Sequence, residues 1–399
     1  MSEKPLHGIM KSFIFLLPVI FYACNSKNVT LSQLKKVENQ LEGLREAAMA
    51  ENRIPRSITK EGNIRWIIQP YDWTEGFWPG TCWMLYQQTQ DEKWKEAAIA
   101  AQKLIEHHKD LTNDHDLGFI FNNSYGKAYR ITGEEQYKKV LIDASNALIT
   151  RFNDAVGCIK SWDVAGNWQA ERGWKFPVII DNLMNLEMLF EASNITGDSL
   201  YRNIAITHAN TTMENHFRPD GSSYHVVDYD PETGEVRSKV TAQGFADESA
   251  WARGQAWALY GYTMCYRYTK DQKYLDFAEK IADFILHHSN YPKDGVPYWD
   301  FNASDIPKAP KDASAGAIIA SALIELSGYT NDKYLKNAKH ILNTLSGDAY
   351  TAKPGENQHF VLMHSVSNFP SGNEVDVPLN YADYYYTEAL TRWLMKRTE

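Results

Sequence analysis

The sequence predicts an all-α toroid: six helical hairpins closed into an (α/α)6 ring that forms a single domain. Three observations predict it. A phrase joining a polar capping residue to an aromatic residue recurs five times at the starts of amphipathic segments. A second, more apolar helical segment precedes each of these phrases. The intervals between the phrases are unequal, whereas a short-repeat solenoid would be regular.

The N-terminus comes before this pattern. Ser12 to Ala23 is an uncharged apolar run behind Lys4 and Lys11, too short to span a bilayer as a helix. It reads as an export leader over residues 1–23. Ala23-Cys24, followed by polar residues, suits a lipoprotein site at which Cys24 becomes the acylated first residue and a candidate lipid anchor. A plain secretory leader with an incidental cysteine is the alternative. Either way the protein is expected to be exported, periplasmic or anchored to a bacterial membrane. Residues 31–399 are expected to form the barrel. Cys82, Cys158 and Cys265 have neither disulfide nor metal spacing, and Cys82 and Cys265 lie in apolar helical patterns.

The amphipathic segments open at Trp94, Tyr137, Tyr201, Tyr274 and Tyr334, and a stretch near 31–50 supplies the sixth. The apolar segments begin near Gly76, Gly118, Ile179, Ser249 and Ala313, and the last runs from Tyr381 to Lys396. Segments apolar on all sides should be buried, and one-sided ones should surround them. In an up-down ring the starts of all buried helices share one end. Asp116 and Asp181 then face one mouth from adjacent helix pairs.

Aspartate at a helix start is often only a cap. That reading suits Asp312 and Asp114. Asp181 follows Pro177-Val178-Ile179-Ile180, so it should be desolvated, with the raised pKa that a general acid needs. Asp116 is open to both readings. Arg253 and Trp257 lie four residues apart and share a helix face. They suit a carboxylate-bearing ring, or else form a stacked pair inside the bundle. His225 starts a short strand and turn. The histidine pairs 107–108 and 287–288 read as helix C-terminal caps. The net charge of −9 carries no basic block, which argues against nucleic acid. No metal or nucleotide motif is present, so no cofactor is indicated. Aromatic residues make up 13% of the chain, including 12 Trp. That is enough both for a core and for a sugar-stacking mouth.

The phrases GFWPG (76–80), NDHDLGF (113–119), IIDNLMNL (179–186), HVVDYDPETGEV (225–236), TAQGFADESAWARGQAWALYGY (241–262) and EVDVPLNYADYYYTEAL (374–390) resemble those of the unsaturated glucuronyl hydrolases, glycoside hydrolase family 88. The resemblance implies an (α/α)6 barrel acting on unsaturated uronic-acid oligosaccharides left by polysaccharide lyases. It implies Asp181 as the acid that protonates the C4=C5 double bond and Asp116 as a second essential carboxylate. It also implies substrate contacts from Trp78, His115, His225, Thr241, Gln243, Arg253, Trp257 and Ser365. The loop from Ser365 to Asn373 has serines but no lysine, which leaves sulfate preference open. Two alternatives are an unsaturated rhamnogalacturonyl hydrolase and a lipid-anchored sugar-binding protein without catalysis.

Overall fold

The computed structural model describes residues 17–68 and 71–396, with side chains from residue 31 onward. Most of the leader therefore lies outside the described residues, as does the side chain of Cys24. Among the described residues no helix is long and apolar enough to cross a membrane.

Outer and inner helices alternate along the chain. Outer α1 (Leu17–Glu51) precedes inner α2 (Phe77–Thr89), and outer α3 (Glu92–Ile105) precedes a wide π-helical segment, Gly118–Gly126, that runs into inner α4 (Lys127–Thr132). Outer α5 (Glu135–Ile149) is followed by a short helix α6 (Trp168–Glu171), then by a 3-10 turn (Ile180–Asn185) leading into inner α7 (Leu186–Thr196). Outer α8 (Ser199–Asn215) and inner α9 (Ala252–Thr269) form the fourth pair, outer α10 (Gln272–His287) and inner α11 (Ala313–Tyr329) the fifth, and outer α12 (Leu335–Leu345) and inner α13 (Asn380–Lys396) the sixth. Each inner helix packs on its neighbours, and α13 closes the ring against both α11 and α2.

The two classes of helix differ as their residues require. Nearly every side chain of α11 from Ala313 to Ser327 is buried, and its alanines and serines allow close approach to α9 and α13. The outer helices bury one stripe, such as Tyr274, Leu275, Ala278, Ile281, Ala282 and Ile285 of α10. The repeated tyrosines stitch the outer ring together. Tyr201, Tyr274 and Tyr334 donate to Asn146, Asn210 and Asp283 of the preceding outer helix, at 2.6, 2.8 and 3.1 Å. The π-helical start was not foreshadowed by the apolar pattern. It accompanies a close helix contact, since a Cβ on Gly118 would lie 2.4 Å from the Asn185 Cα.

The long connections run from outer to inner helices and carry, among the described residues, four small antiparallel sheets. These are β1 (Pro55–Ile58) with β2 (Ile64–Trp66), β3 (Phe152–Asn153) with β4 (Cys158–Ile159), β5 (Phe176–Ile179) with β6 (Val226–Tyr229) and β7 (Val236–Val240), and β8 (Ser365–Asn368) with β9 (Asn373–Val377). The first and last connections are locked together: Arg56 pairs with Glu374 at 2.8 Å, and the Asn380 amide donates to the Pro55 and Thr74 carbonyls. His108 lies in the last turn of the 3-10 segment that follows α3, and it is also buried, with its Nδ1 2.5 Å from Glu75 Oε1.

Candidate active site

The starts of the inner helices do converge on one mouth. Asp116 lies just before the π-helical segment, and Asp181 stands in the 3-10 turn before α7. Strand β5 delivers Asp181 by pairing with β6, with Ile179 opposite Val226. His225 immediately precedes β6, so this pairing sets His225 beside Asp181. Their facing atoms, Nε2 and Oδ2, are 3.6 Å apart.

The tautomer of His225 follows from its partners. Its Nδ1 accepts the backbone N–H groups of Ala242 and Gln243 at 3.0 and 3.1 Å. Burial, together with the charges of Arg253 and Arg172, lowers its pKa to about 3. The ring is therefore neutral and its proton sits on Nε2, aimed at Asp181. Burial pushes the Asp181 carboxyl up to about 6, outweighing the downward pull of the Arg253 charge. Among the described residues, neither Asp181 Oδ2 nor His225 Nε2 has a hydrogen-bond partner, and neither do His115 Nε2 and Ser365 Oγ. Buried polar atoms left this way suit a polar ligand.

Asp116 is joined to the same cluster through Asn185, whose amide nitrogen lies 3.4 Å from Asp116 Oδ1 and 3.3 Å from His115 Nδ1. Burial first, then the nearby carboxylates of Asp114 and Asp181, raise the Asp116 pKa well above its ordinary value. Asp114 accepts the Asp116 N–H at 3.0 Å and the Tyr71 hydroxyl at 3.1 Å, a turn role close to the expected cap. Asp312 is a true cap, accepting the Ser314 N–H at 3.0 Å. Asp114, His115 and Asp116 bring one ligand atom each within 4.8 Å.

Two expected substrate contacts are placed differently. Trp78 is buried away from the mouth and borders a shallow groove with Met49 and Ala97 of the outer helices. Its neighbour Phe77 faces the lumen against Phe119 and Tyr381, and one residue further round α2 points outward. The half-buried indole at the mouth is that of Trp73, 5.0 Å from the Tyr381 ring and 5.4 Å from Phe119. Arg253 is only 1% exposed and presents no free fork. Its nitrogens donate to the Val366 and Ser367 carbonyls, to Gln243 Oε1 at 2.9 Å and to Asp312 Oδ2 at 3.4 Å, and its guanidinium stacks 4.5 Å from Trp251. The stacked, buried alternative describes it. Arg253 anchors β8, and with it Ser365.

Trp257 forms the floor, 5.0 Å from Phe119 and 5.3 Å from Tyr385. Gln243 reaches the cluster through Arg253. Thr241 Oγ1 accepts the Gly244 N–H at 2.8 Å and so shapes the loop that holds His225. Sequence reasoning missed Asn185 and Trp73. The four-residue spacing from Asp181 to Asn185 could have pointed to the first.

The model of Glycosyl Hydrolase Family 88 matches residues 46–396. An unsaturated glucuronyl hydrolase of Formosa agariphila is 48% identical over 362 residues, covering 90% of this chain and 89% of that protein. An unsaturated chondroitin disaccharide hydrolase of Streptococcus agalactiae is 34% identical, covering 83% of each. The crystal structure of an unsaturated glucuronyl hydrolase specific for heparin superposes with a TM-score of 0.87 at 47% identity, covering 92% of this chain and 98% of that one. These likenesses run through the inner helices and the connections that build the mouth, and the chain belongs to glycoside hydrolase family 88.

Proposed function

We propose that this glycoside hydrolase is an unsaturated glucuronyl hydrolase. It would remove the 4,5-unsaturated uronic acid from the non-reducing end of lyase-generated oligosaccharides, of glycosaminoglycan type. The observation that carries the reading is Asp181: a buried carboxyl with a pKa of about 6, facing the Nε2–H of a neutral histidine on the floor of the mouth. Relatives at 48% and 34% identity with matching activities support it.

The chemistry follows from the substrate. A C4=C5 enol ether is nucleophilic at C4. Protonated Asp181 gives its proton to C4, leaving an oxocarbenium-like cation at C5 that the ring oxygen stabilises. Water adds at C5 and returns a proton to the Asp181 carboxylate, which restores the acid. The hemiketal opens to a ketone, and the hemiacetal left at C1 releases the aglycone alcohol. Position-specific acid–base help of this kind is worth roughly 10²–10⁴-fold. Attack is not at the anomeric carbon, so the carboxylate-separation rule for retaining and inverting enzymes does not govern the outcome.

The other roles belong to the same proposal. Asp116 is the second essential carboxylate, and His115 and Asn185 orient it. His225, Thr241, Gln243, Trp257 and Ser365 meet the unsaturated sugar, with Trp73 taking the part first expected of Trp78. Arg253 acts by positioning β8 and by its charge on Asp181. Residues 1–23 direct export and Cys24 carries a lipid, a reading supported by the apolar run behind Lys4 and Lys11. The mass of the mature N-terminus checks this last point.

The activity is tested by mixing the protein with unsaturated disaccharides from heparin, chondroitin, hyaluronan, gellan and pectin. Loss of the conjugated ultraviolet absorbance is expected on the glycosaminoglycan substrates. Binding without any absorbance loss would turn the reading to a non-catalytic sugar-binding protein.

A further inference from the structure

Beside the mouth lies a cleft of about 400 Å³ bordered by Trp162, Trp168, Arg172, Gln243, Asn368 and Ser371. It is continuous with the site at two points. Gln243 holds Arg253, and the Trp162 ring lies 6.1 Å from that of His225. A sugar linked to a uronate bound over Asp181 would leave through this cleft.

The cleft has a built wall. Trp162 stacks on Trp174 with centroids 6.0 Å apart, and Trp168 packs against both at 5.3 and 5.5 Å. Trp168 keeps 45% of its surface exposed. The short helix α6 that carries it is capped by Asn167, which accepts the Ala170 N–H at 3.2 Å. Arg172 follows directly. Its guanidinium carbon sits 5.5 and 5.3 Å from the Trp168 and Trp174 rings, and Nη1 donates to the Thr241 carbonyl at 2.7 Å.

Arg172 is thus held on two sides without being neutralised. Among the described residues no carboxylate forms an ion pair with it, and its charge reaches far enough to lower the pKa of His225. The remaining guanidinium donors are free for a ligand, and their fixed fork suits an oxyanion. The opposite wall, Asn368 to Ser371, offers hydroxyl and amide groups but no cation.

We propose that Arg172 is the specificity-determining cation of this cleft. It would receive a sulfate on the sugar that follows the unsaturated uronate. This rests on the proposed activity above. The test compares kcat/KM on a sulfated unsaturated disaccharide and on its unsulfated counterpart, for the wild type, Arg172→Leu and Arg172→Lys. The wild type is expected to prefer the sulfated substrate. The sulfated-to-unsulfated ratio should fall at least ~10-fold in Arg172→Leu, mainly through KM, as expected for a lost charge-assisted contact. It should recover in part in Arg172→Lys, and the preference should weaken with added salt. Equal losses on both substrates, or a wild type indifferent to sulfate, overturns the assignment alone. No turnover of either substrate by the wild type overturns the proposed activity and this assignment with it.

Discussion

At one end of the barrel the inner helices pass into outer ones through two residues in four cases and five in the other. At the opposite end the return connections take twelve to thirty-six residues. The buried charges differ in the same way. Toward the short-turn end, Arg392 meets Glu325 at 2.8 Å and the Tyr260 hydroxyl at 2.7 Å, Arg267 meets Glu187 and Glu325 at 2.9 Å each, and Ser321 donates to Glu388 at 2.7 Å. Burial raises the pKa of Glu187 and Glu388, but their guanidinium neighbours win and hold both below the ordinary value. At the mouth burial wins, and Asp116 and Asp181 are raised. Equally buried carboxyls are pushed in opposite directions, and a guanidinium in direct contact makes the difference. The short-turn set binds the ring together; the carboxyls at the mouth hold their protons to higher pH than an ordinary aspartate does.

The sharpest way to break this contrast is Asp181→Asn, the largest effect expected. Turnover should fall roughly 10²–10⁴-fold while the fold persists. Near-normal turnover, followed by ultraviolet absorbance, would remove Asp181 from the acid role. In the wild type kcat/KM should decline as pH rises through about 6, where Asp181 loses its proton. Stability should follow the same group with a definite sign. Its folded pKa is raised above the unfolded value, so between about pH 4 and 6 the folded state holds more protons and stability falls as pH rises. Asp181→Asn should flatten that part of the stability profile. The short-turn glutamates act in reverse, because their stabilisation is present above the unfolded pKa and fades as pH falls.

Arg392→Met attacks the other end. Removing one partner of a buried charge network typically costs about 3–5 kcal/mol, because the opposite charges remain uncompensated. Thermal unfolding should show a clear drop in stability. Molecules still folded at assay temperature should turn over at close to the wild-type rate. A selective loss of kcat without loss of stability would mean that the two ends are not separable in function.

The short-turn end was the more legible in sequence. Its phrases repeat because each turn solves the same problem: the threonines at 89, 132, 196 and 269 all bond back to a carbonyl four residues earlier, and Asp91, Asp198 and Asp271 each cap the next helix. The mouth was legible only where one segment carries the meaning. Asp181 after an apolar strand is such a case, and so is the converging geometry of helix starts. Trp78, which the resemblance puts in contact with substrate, lies on the outward face of α2, because a matching phrase places a residue on a helix without fixing the helix's rotation about its own axis. Arg253 was open for a different reason. Its partners Val366 and Ser367 lie more than a hundred residues away, and backbone carbonyls leave no mark in a sequence. The Trp162–Trp168–Trp174 wall sits in an irregular connection, where no period singles it out.

The smallest effects should separate the turns from one another. Four of them close with a left-handed residue: Gln90 (φ 57°), Gly133 (71°), Gly197 (75°) and Lys270 (57°). In the two glycines the conformation costs little, so Gly133→Ala and Gly197→Ala should each lose about 1 kcal/mol. Gln90 and Lys270 adopt the same angle against the steric preference, but their side chains offset it. Gln90 Nε2 bonds the Gln87 and Tyr86 carbonyls at 3.1 and 3.3 Å, and Lys270 Nζ lies 4.9 Å from the Tyr329 ring. Gln90→Gly and Lys270→Gly relieve the backbone and remove these contacts together, so stability should change by less than about 0.5 kcal/mol. Calorimetry on the four variants distinguishes the two solutions. Because Gly133 and Gly197 share no hydrogen-bond partner, their double variant should lose the sum of the single losses. Turnover should be untouched in all of them, since each change lies at the far end of the barrel from Asp181.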